Sequence, residues 1–306
     1  MNIVYQYFQK VEEKEDFLPE IRKRQEKLKN SLIIKDFGLT VHTKSTGILS
    51  AGCEACKAGT WHCIFVNNNC NLRCPHCPQA MSDVLLHPRS VNGEWIDDVR
   101  LFIDFFRYSG VSYSGGEPIL ALPKVIEIAE YVLKNHSDIY QWIYSNGDKL
   151  TEDIAKRLID CGIVEIRLDL LATNFAKRVV EKIDWLQKIF KRVTIEVPST
   201  KETKKQLIDN KIIHLLADKG ISQLNLAELY ICEENYNAFS SSEKVYLYNS
   251  NYTSNIAPIF SRKITYDIIE YVVDNSIDLL INDCSMDAKL LQYVMGVKNR
   301  GTLNKC

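Results

Sequence analysis

The sequence predicts an α/β fold: a partial (β/α)6 TIM-like barrel with N- and C-terminal extensions. Three observations carry this. Between residues 61 and 230, short apolar stretches alternate with stretches of about 10–15 residues that have helical periodicity, the pattern of βαβ units on a parallel sheet. Six strands fit that interval, too few for a closed eightfold barrel. The length of 306 residues, 46% of them hydrophobic and 25% charged, suits one soluble α/β domain with extensions or two small domains.

The elements follow in order. Residues 11–30 read as a charged helix, and Ile33, Ile34, Phe37, Leu39, Val41 and His42 as a β-rich stretch. Gly47, Gly52 and Gly59 punctuate a loop carrying Cys53 and Cys56. The barrel rhythm starts near residue 61 with the strand at 63–66. Ile96, Val99, Phe102, Ile103 and Phe106 recur at helical spacing. A strand at 110–113 runs into a glycine pair, and Pro123 opens the next helix. After the strand at 141–144, Thr151 can cap a helix, with Glu152 and Asp153 complementing its dipole and Gly162 ending it. Strands at 164–168, 193–197 and 223–227 alternate with helices around 179–186 and 207–217. Beyond 230 the rhythm degrades: residues 235–262 read as loops with one strand near 245–248. A helix (266–274), a strand (279–282) and a helix (286–297) follow. The expected segments are 1–60, an extension with the C-x2-C loop; 61–234, the barrel; and 235–306, a C-terminal extension.

The formal net charge of −1 gives no global attraction to nucleic acid or anionic membrane. Arg22, Lys23, Arg24, Lys27 and Lys29 share a helix with Glu12, Glu13, Glu15 and Asp16, which reads as a solvated face. A polar N-terminus without an apolar core leads us to expect no signal peptide. No apolar run approaches the roughly twenty residues that cross a bilayer. The expectation is therefore a cytoplasmic protein. Six of its ten cysteines lie between positions 53 and 77, and in such a protein that clustering argues for metal rather than disulfides.

Cys70, Cys74 and Cys77, in the run Cys70-Asn71-Leu72-Arg73-Cys74-Pro75-His76-Cys77-Pro78, carry the most specific signal. Three thiolates spaced C-x3-C-x2-C can hold three corners of a [4Fe–4S] cube and leave the fourth iron open. By itself the run also suits zinc or buried free thiols. Ser114-Gly115-Gly116-Glu117-Pro118 follows about forty residues later. The two motifs, in this order and separation, resemble the radical S-adenosylmethionine (SAM) superfamily and its GGEP element.

The resemblance implies that SAM chelates the open iron, that one electron breaks its bond to C5′, and that the resulting radical takes hydrogen from a substrate. It also implies an electron donor such as flavodoxin or ferredoxin. His76 stands where the superfamily usually has an aromatic residue near the adenine, and it can still stack. Gly115 and Gly116 let backbone approach the methionine amino group, because no Cβ intervenes. Glu117 can accept from that ammonium, directly or through its surroundings, or can instead bond local backbone. Ser145 and Asn146 end the third strand, Arg167 and Asp169 the fourth, and Glu196 the fifth, the strand ends where barrels place ligands. Each can equally be an ordinary loop residue.

Cys53-Glu54-Ala55-Cys56 is a second metal candidate, since this spacing serves zinc, redox pairs and clusters. With Gly52 before it, it resembles a branch of the superfamily related to pyruvate formate-lyase activating enzyme. So do Leu224-Asn225-Leu226-Ala227-Glu228-Leu229 with Glu234-Asn235-Tyr236, and Ile281-Asn282-Asp283-Cys284-Ser285 with Lys289 and Gln292. That likeness implies that Cys53, Cys56 and Cys284 converge on a second metal, an auxiliary [4Fe–4S] cluster with an open iron. Such a cluster could ligate substrate or accept an electron from it. Cys63 or Cys306 could close the site. Cys161 and Cys232 look structural.

The leading expectation is a radical SAM enzyme acting on a peptide or small molecule, with its catalytic hydrogen-handling residues unassigned. The alternatives are an activase that forms a glycyl radical on a partner, and a non-enzymatic iron–sulfur or zinc sensor or scaffold. A peptide substrate predicts an exposed sheet edge or groove near 30–50 or 235–262. Near-neutral charge gives no support for RNA as substrate.

Overall fold

Alternating and fully buried apolar runs set the strand pattern of the computed structural model, which describes residues 3–79, 95–250 and 253–300. Within those residues the strands are β1 (Val11–Glu12), β2 (Leu32–Lys35), β3 (Thr40–Thr43), β4 (Trp61–Asn67), β5 (Gly110–Gly115), β6 (Tyr140–Ser145), β7 (Ile163–Leu168), β8 (Arg192–Pro198), β9 (Gln223–Ala227), β10 (Val245–Ser250), β11 (Thr253–Pro258) and β12 (Leu280–Cys284). All six strands expected between 61 and 230 form, as β4 to β9. Cys306 lies outside the described residues.

The chain divides into two units. The central unit comprises Leu49–Leu72, Gln79–Ile195 and Leu291–Cys306. In it β4, β5, β6, β7 and β8 run parallel in that order. Val111, Ser112 and Tyr113 are consecutive and fully buried, as expected of a parallel strand covered on both faces. The helix Leu122–Asn135 buries Leu122, Val125, Ile128, Ala129 and Val132, a stripe at helical spacing. Burying each larger aliphatic side chain stabilises by about 1.5–3 kcal/mol. Thr151 Oγ1 accepts from Ile154 N at 3.3 Å and caps the helix Glu152–Asp160. Gly162, at φ +97°, turns the chain into β7.

The second unit comprises Met1–Ile48, Arg73–Pro78 and Glu196–Leu290. Its strand row is β2-β3-β12-β9. β12 runs parallel to β9, pairing Asn282 with Asn225 and Cys284 with Ala227, and antiparallel to β3. A separate sheet joins β1, β10 and β11. No helix among the described residues is long and apolar enough to cross a membrane.

Four local expectations are corrected. Cys53 and Cys56 sit on a helix, Ala51–Lys57, rather than a loop, because Ser50 Oγ caps it by accepting from Cys53 N at 3.1 Å. The N-terminal helix spans Lys14–Lys27, with a capping box between Glu13 and Asp16. Val11–Glu12 instead pairs with β10. The helix expected at 266–274 starts at Ile259, and its first turns bury Ser261, Arg262 and Thr265, polar residues that hide the apolar period. Residues 235–262 hold two strands rather than one, β10 and β11 pairing antiparallel from Val245 and Pro258.

Candidate metal and cofactor site

The loop bearing Cys70 leaves the end of β4, and β5 is stitched to it through backbone. Gly116 N donates to Asn67 O and Glu117 N to Asn69 O, each at 2.8 Å. Asn67 Nδ2 donates to Glu117 O at 3.0 Å. A Cβ on Gly115 or Gly116 would lie 2.1 Å from Asn67 O or Asn69 O respectively, and Gly115 has φ +122°. No other residue permits this approach. The glycine pair therefore fixes the start of the cysteine loop and leaves bare backbone at the strand end.

Cys70 Sγ accepts from Leu72 N at 3.4 Å and from Asn146 Nδ2 at 3.7 Å. Asn146 Nδ2 also donates to Asn71 Oδ1, and Asn71 Nδ2 to Asp148 Oδ2 at 2.8 Å. Arg178 holds Asp148 and, with its hydrogen bond, keeps that carboxyl below the usual range. Lys182 Nζ donates to the carbonyls of Gly147, Asp148 and Leu150. Burial lowers its pKa, opposed by Asp148. None of Asn71, Asp148, Arg178 and Lys182 had a sequence signal, since their partners come from tertiary structure.

In the second unit Cys77 N donates to Cys74 O at 3.0 Å. Asn235, fully buried, donates to His76 O and Tyr230 O at 3.0 and 3.1 Å. The Cys232 thiol, pushed up to about 12 by burial, points at Pro78 O. Burial lowers the pKa of His76 and favours its neutral ring. Cys70, Cys74 and Cys77 are half-buried and form no disulfide. Three cysteines in one short loop, launched from a backbone-only strand junction, are the donor types of an iron–sulfur cluster. Among the described residues no three His, Cys, Asp or Glu side chains are gathered closely enough to hold a metal ion as the chain stands.

Glu117 is buried, and both carboxylate oxygens accept from protein. Oε1 takes Ile119 N at 3.2 Å and Ser145 Oγ at 2.9 Å, and Oε2 takes Asn146 N at 2.7 Å. Burial pushes its carboxyl up, and the bonds from Asn146, Ser145 and Ile119 oppose that. The side chain thus ties the ends of β5 and β6 together. Asp169 Oδ1 accepts from Leu171 N and Ala172 N and shapes the turn after β7. Glu196 Oε2 accepts from Asn225 Nδ2 at 2.9 Å.

Cys53 is buried and Cys56 half-buried, neither in a disulfide, three apart on one helix face. Two cysteines so spaced supply two of the ligands a thiolate-held metal needs. Arg167, 3% exposed, approaches Cys53 Sγ at 3.4 Å through Nη2. Cys63 is half-buried on β4, and Cys161 is buried, its thiol pushed up to about 11. In the second unit Cys284 ends β12, its sulfur accepting from Asn282 Nδ2 at 3.0 Å. The next helix begins against Glu228, whose Oε2 accepts from Met286 N at 2.8 Å and Arg262 Nη1 at 3.2 Å. Tyr246 OH donates to the other oxygen at 2.9 Å. Burial raises the Glu228 pKa and the Arg262 charge opposes that. Arg262 also faces Asp283 and Asp287. A buried arginine on a helix is a residue that periodicity does not reveal.

Residues 64–209 match the family model described as the Radical SAM superfamily. A protein of Methanocaldococcus jannaschii, named as a candidate glycyl-radical enzyme activating enzyme, is 24% identical over 200 residues, 61% of this chain and 52% of its own. A second protein of that organism with the same description is 32% identical over 101 residues, 32% of this chain and 40% of its own. The chain thus spans about half the length of the first curated relative and less of the second. A crystal structure of Streptococcus suis SuiB bound to the precursor peptide SuiA aligns with 90% of this chain and 55% of that one, at 15% identity and a TM-score of 0.48.

Proposed function

Because residues 64–209 form a radical SAM domain, we propose that Cys70, Cys74 and Cys77 hold the [4Fe–4S] cluster that this family implies, and that the chain is an enzyme cleaving SAM reductively to take hydrogen from a substrate. When bound, the cluster and SAM supply the electron transfer and the adenosyl radical. The protein's own part is to bind, orient and exclude water. The bare backbone at Gly115 and Gly116 is offered to the methionine end of SAM. His76 is offered to the adenine. Glu117 acts through Ser145 and Asn146, holding β5 and β6 at one spacing, and Asn146 donates toward the Cys70 sulfur. The observation that carries this reading is the junction of glycine pair and cysteine loop, where backbone packs on backbone immediately before the three cysteines.

We further propose a second metal centre on Cys53 and Cys56, with Cys284 as its third ligand on the sequence pattern alone. The extensions 1–60 and 235–306 would supply these ligands to the catalytic segment 61–234. The substrate class is a peptide or a small molecule. A second reading, a glycyl radical formed on a partner protein, is favoured by the description of the two M. jannaschii relatives. Either way a one-electron donor of the flavodoxin or ferredoxin kind is required. The test is anaerobic reconstitution with iron and sulfide, reduction, and measurement of 5′-deoxyadenosine. Release that vanishes in Cys70→Ala, Cys74→Ala and Cys77→Ala is expected. No release from the reconstituted, reduced wild type would overturn the reading, as would undiminished release from any of the three variants.

A further inference from the structure

The hairpin of β2 and β3 turns through Asp36, Phe37 and Gly38, all three with positive φ, at +53°, +57° and +87°. Glycine accepts that conformation, whereas for a bulky side chain it is an outlier, because Cβ crowds the following carbonyl. Phe37 bears a second cost. Its ring is exposed over its whole surface, and Ile34, three residues before it on β2, is exposed as well. A strained turn that holds an aromatic ring out in water is an outlier from which a function can be inferred.

β2 is the outermost strand of its row, and among the described residues no strand pairs with its far edge. Lys44 N donates to Ser31 O at 2.8 Å, and the two strands pair Leu32 with Thr43 and Ile34 with Val41. Bonded and non-bonded pairs alternate in an antiparallel ladder. Ser31, Ile33 and Lys35 therefore turn their backbone groups toward β3, and Leu32 and Ile34 turn theirs outward. Leu32 is covered, at 3% exposure, while Ile34 is open, at 39%. Ile34 thus offers the accessible backbone of this edge, where a further strand can pair. At the opposite end of the same hairpin lies a recess of about 320 Å3, lined by Asn30, Ser31, Thr43 and Lys44 together with the apolar Val273 and Ile277.

We propose that a second copy of this chain pairs with β2 about a two-fold axis at Ile34, so that each Phe37 ring seats in the other copy's recess. Antiparallel pairing centred there sets Ile34 against its own counterpart, Lys35 opposite Ile33 of the second copy, and Phe37 opposite its Ser31. Ser31 lines the recess, so the register that joins the open edge also brings ring to recess, twice by symmetry. No like charges stand directly opposite, since Lys35 meets Ile33 and Asp36 meets Leu32. The exposed ring and the exposed isoleucine are both covered. A phenylalanine buries about 150–250 Å2, which puts this contact at the small end of specific interfaces, below about 1,200 Å2. A monomer–dimer equilibrium follows rather than a permanent dimer. Neither a metal centre nor SAM takes part in it.

The experiment is sedimentation equilibrium of the full chain between about 1 µM and about 1 mM, with two variants. Phe37→Gly deletes the ring and suits the left-handed turn, so its denaturant midpoint should not fall below that of the wild type. Val273→Lys puts a charged side chain in the recess, in the last turn of the helix Ile259–Asp274, where a cation suits the helix dipole. Each variant is expected to weaken association about tenfold or more. Mixing the two restores one seated ring per pair, because the intact Phe37 of the Val273→Lys copy meets the intact recess of the Phe37→Gly copy. The mixture should therefore associate more tightly than either variant alone. A wild type that stays monomeric across the whole range would overturn the proposal. So would a dimer that neither variant weakens, which would place the contact elsewhere, or a mixture that gains nothing, which would mean that the ring does not enter the recess.

Discussion

Replacing Glu117 with glutamine separates two roles that a carboxylate in the GGEP element can play. Its oxygens accept three hydrogen bonds, two of them from the backbone N–H groups of Ile119 and Asn146. Those donors are buried and cannot turn toward another partner. Glutamine offers one carbonyl oxygen. Facing Ile119 and Ser145, it sets its amide NH2 against Asn146 N–H, and facing Asn146, it leaves Ile119 N unpaired. Either arrangement strands one buried donor, at a cost of about 1–3 kcal/mol, and Glu117→Ala strands both. Denaturant unfolding of the unreconstituted protein reads this cost without any cofactor. Because burial raises the Glu117 pKa above its ordinary 4.5, the folded state binds that proton more tightly than the unfolded one. Wild-type stability from this group is therefore greatest below about 4.5 and falls as pH rises through the folded value. Glu117→Gln lacks that slope, so its deficit narrows over the same window. A variant with wild-type stability but tenfold weaker SAM binding would refute the reasoning, because it would mean that the carboxylate serves the SAM ammonium and not the strand ends.

Three other outcomes are expected. Arg262→Met leaves Glu228 and Asp283 buried without their cation, so unfolding free energy should drop by about 3–5 kcal/mol, and adding Glu228→Gln should recover part of it. Asn235→Ala removes the donor to His76 O and the acceptor of Cys232 N, so limited proteolysis between residues 73 and 78 should accelerate several-fold in the unreconstituted protein. Lys182→Met withdraws three N–H donors from carbonyls of the loop after β6, and amide exchange at Gly147 and Asp148 should rise at least tenfold, whereas unchanged exchange would show that the loop is held without Lys182, by Arg178 and Asn71 on Asp148.

The barrel was legible because its signals are local. Strands buried on both faces read as apolar runs, Thr151 and Gly162 mark their helix ends in the sequence, and the cysteine and glycine motifs are short. What stayed hidden depends on partners distant in sequence. Gly52 depresses helix propensity, so the C-x2-C run reads as a loop, and the reason for a glycine there is Arg167, more than a hundred positions away. Ser261, Arg262 and Thr265 break the apolar period of their helix, because Arg262 is drawn inward by Glu228 and Asp283. Glu117 and Arg167 were both legible as strand-end candidates, and for both the residue type said only that a charge would sit there. Where each charge is directed follows from neighbours: three donors converge on Glu117, and Gly52 makes room for Arg167. Chemistry class is thus written in spacing, while the task of each charged side chain is written in what has been removed or arranged around it. That is why Gly52→Ala, a change of one hydrogen for a methyl beside Cys53, is expected to push Arg167 Nη2 away from Ser50 and Cys53 and to lower the unfolding free energy read in denaturant.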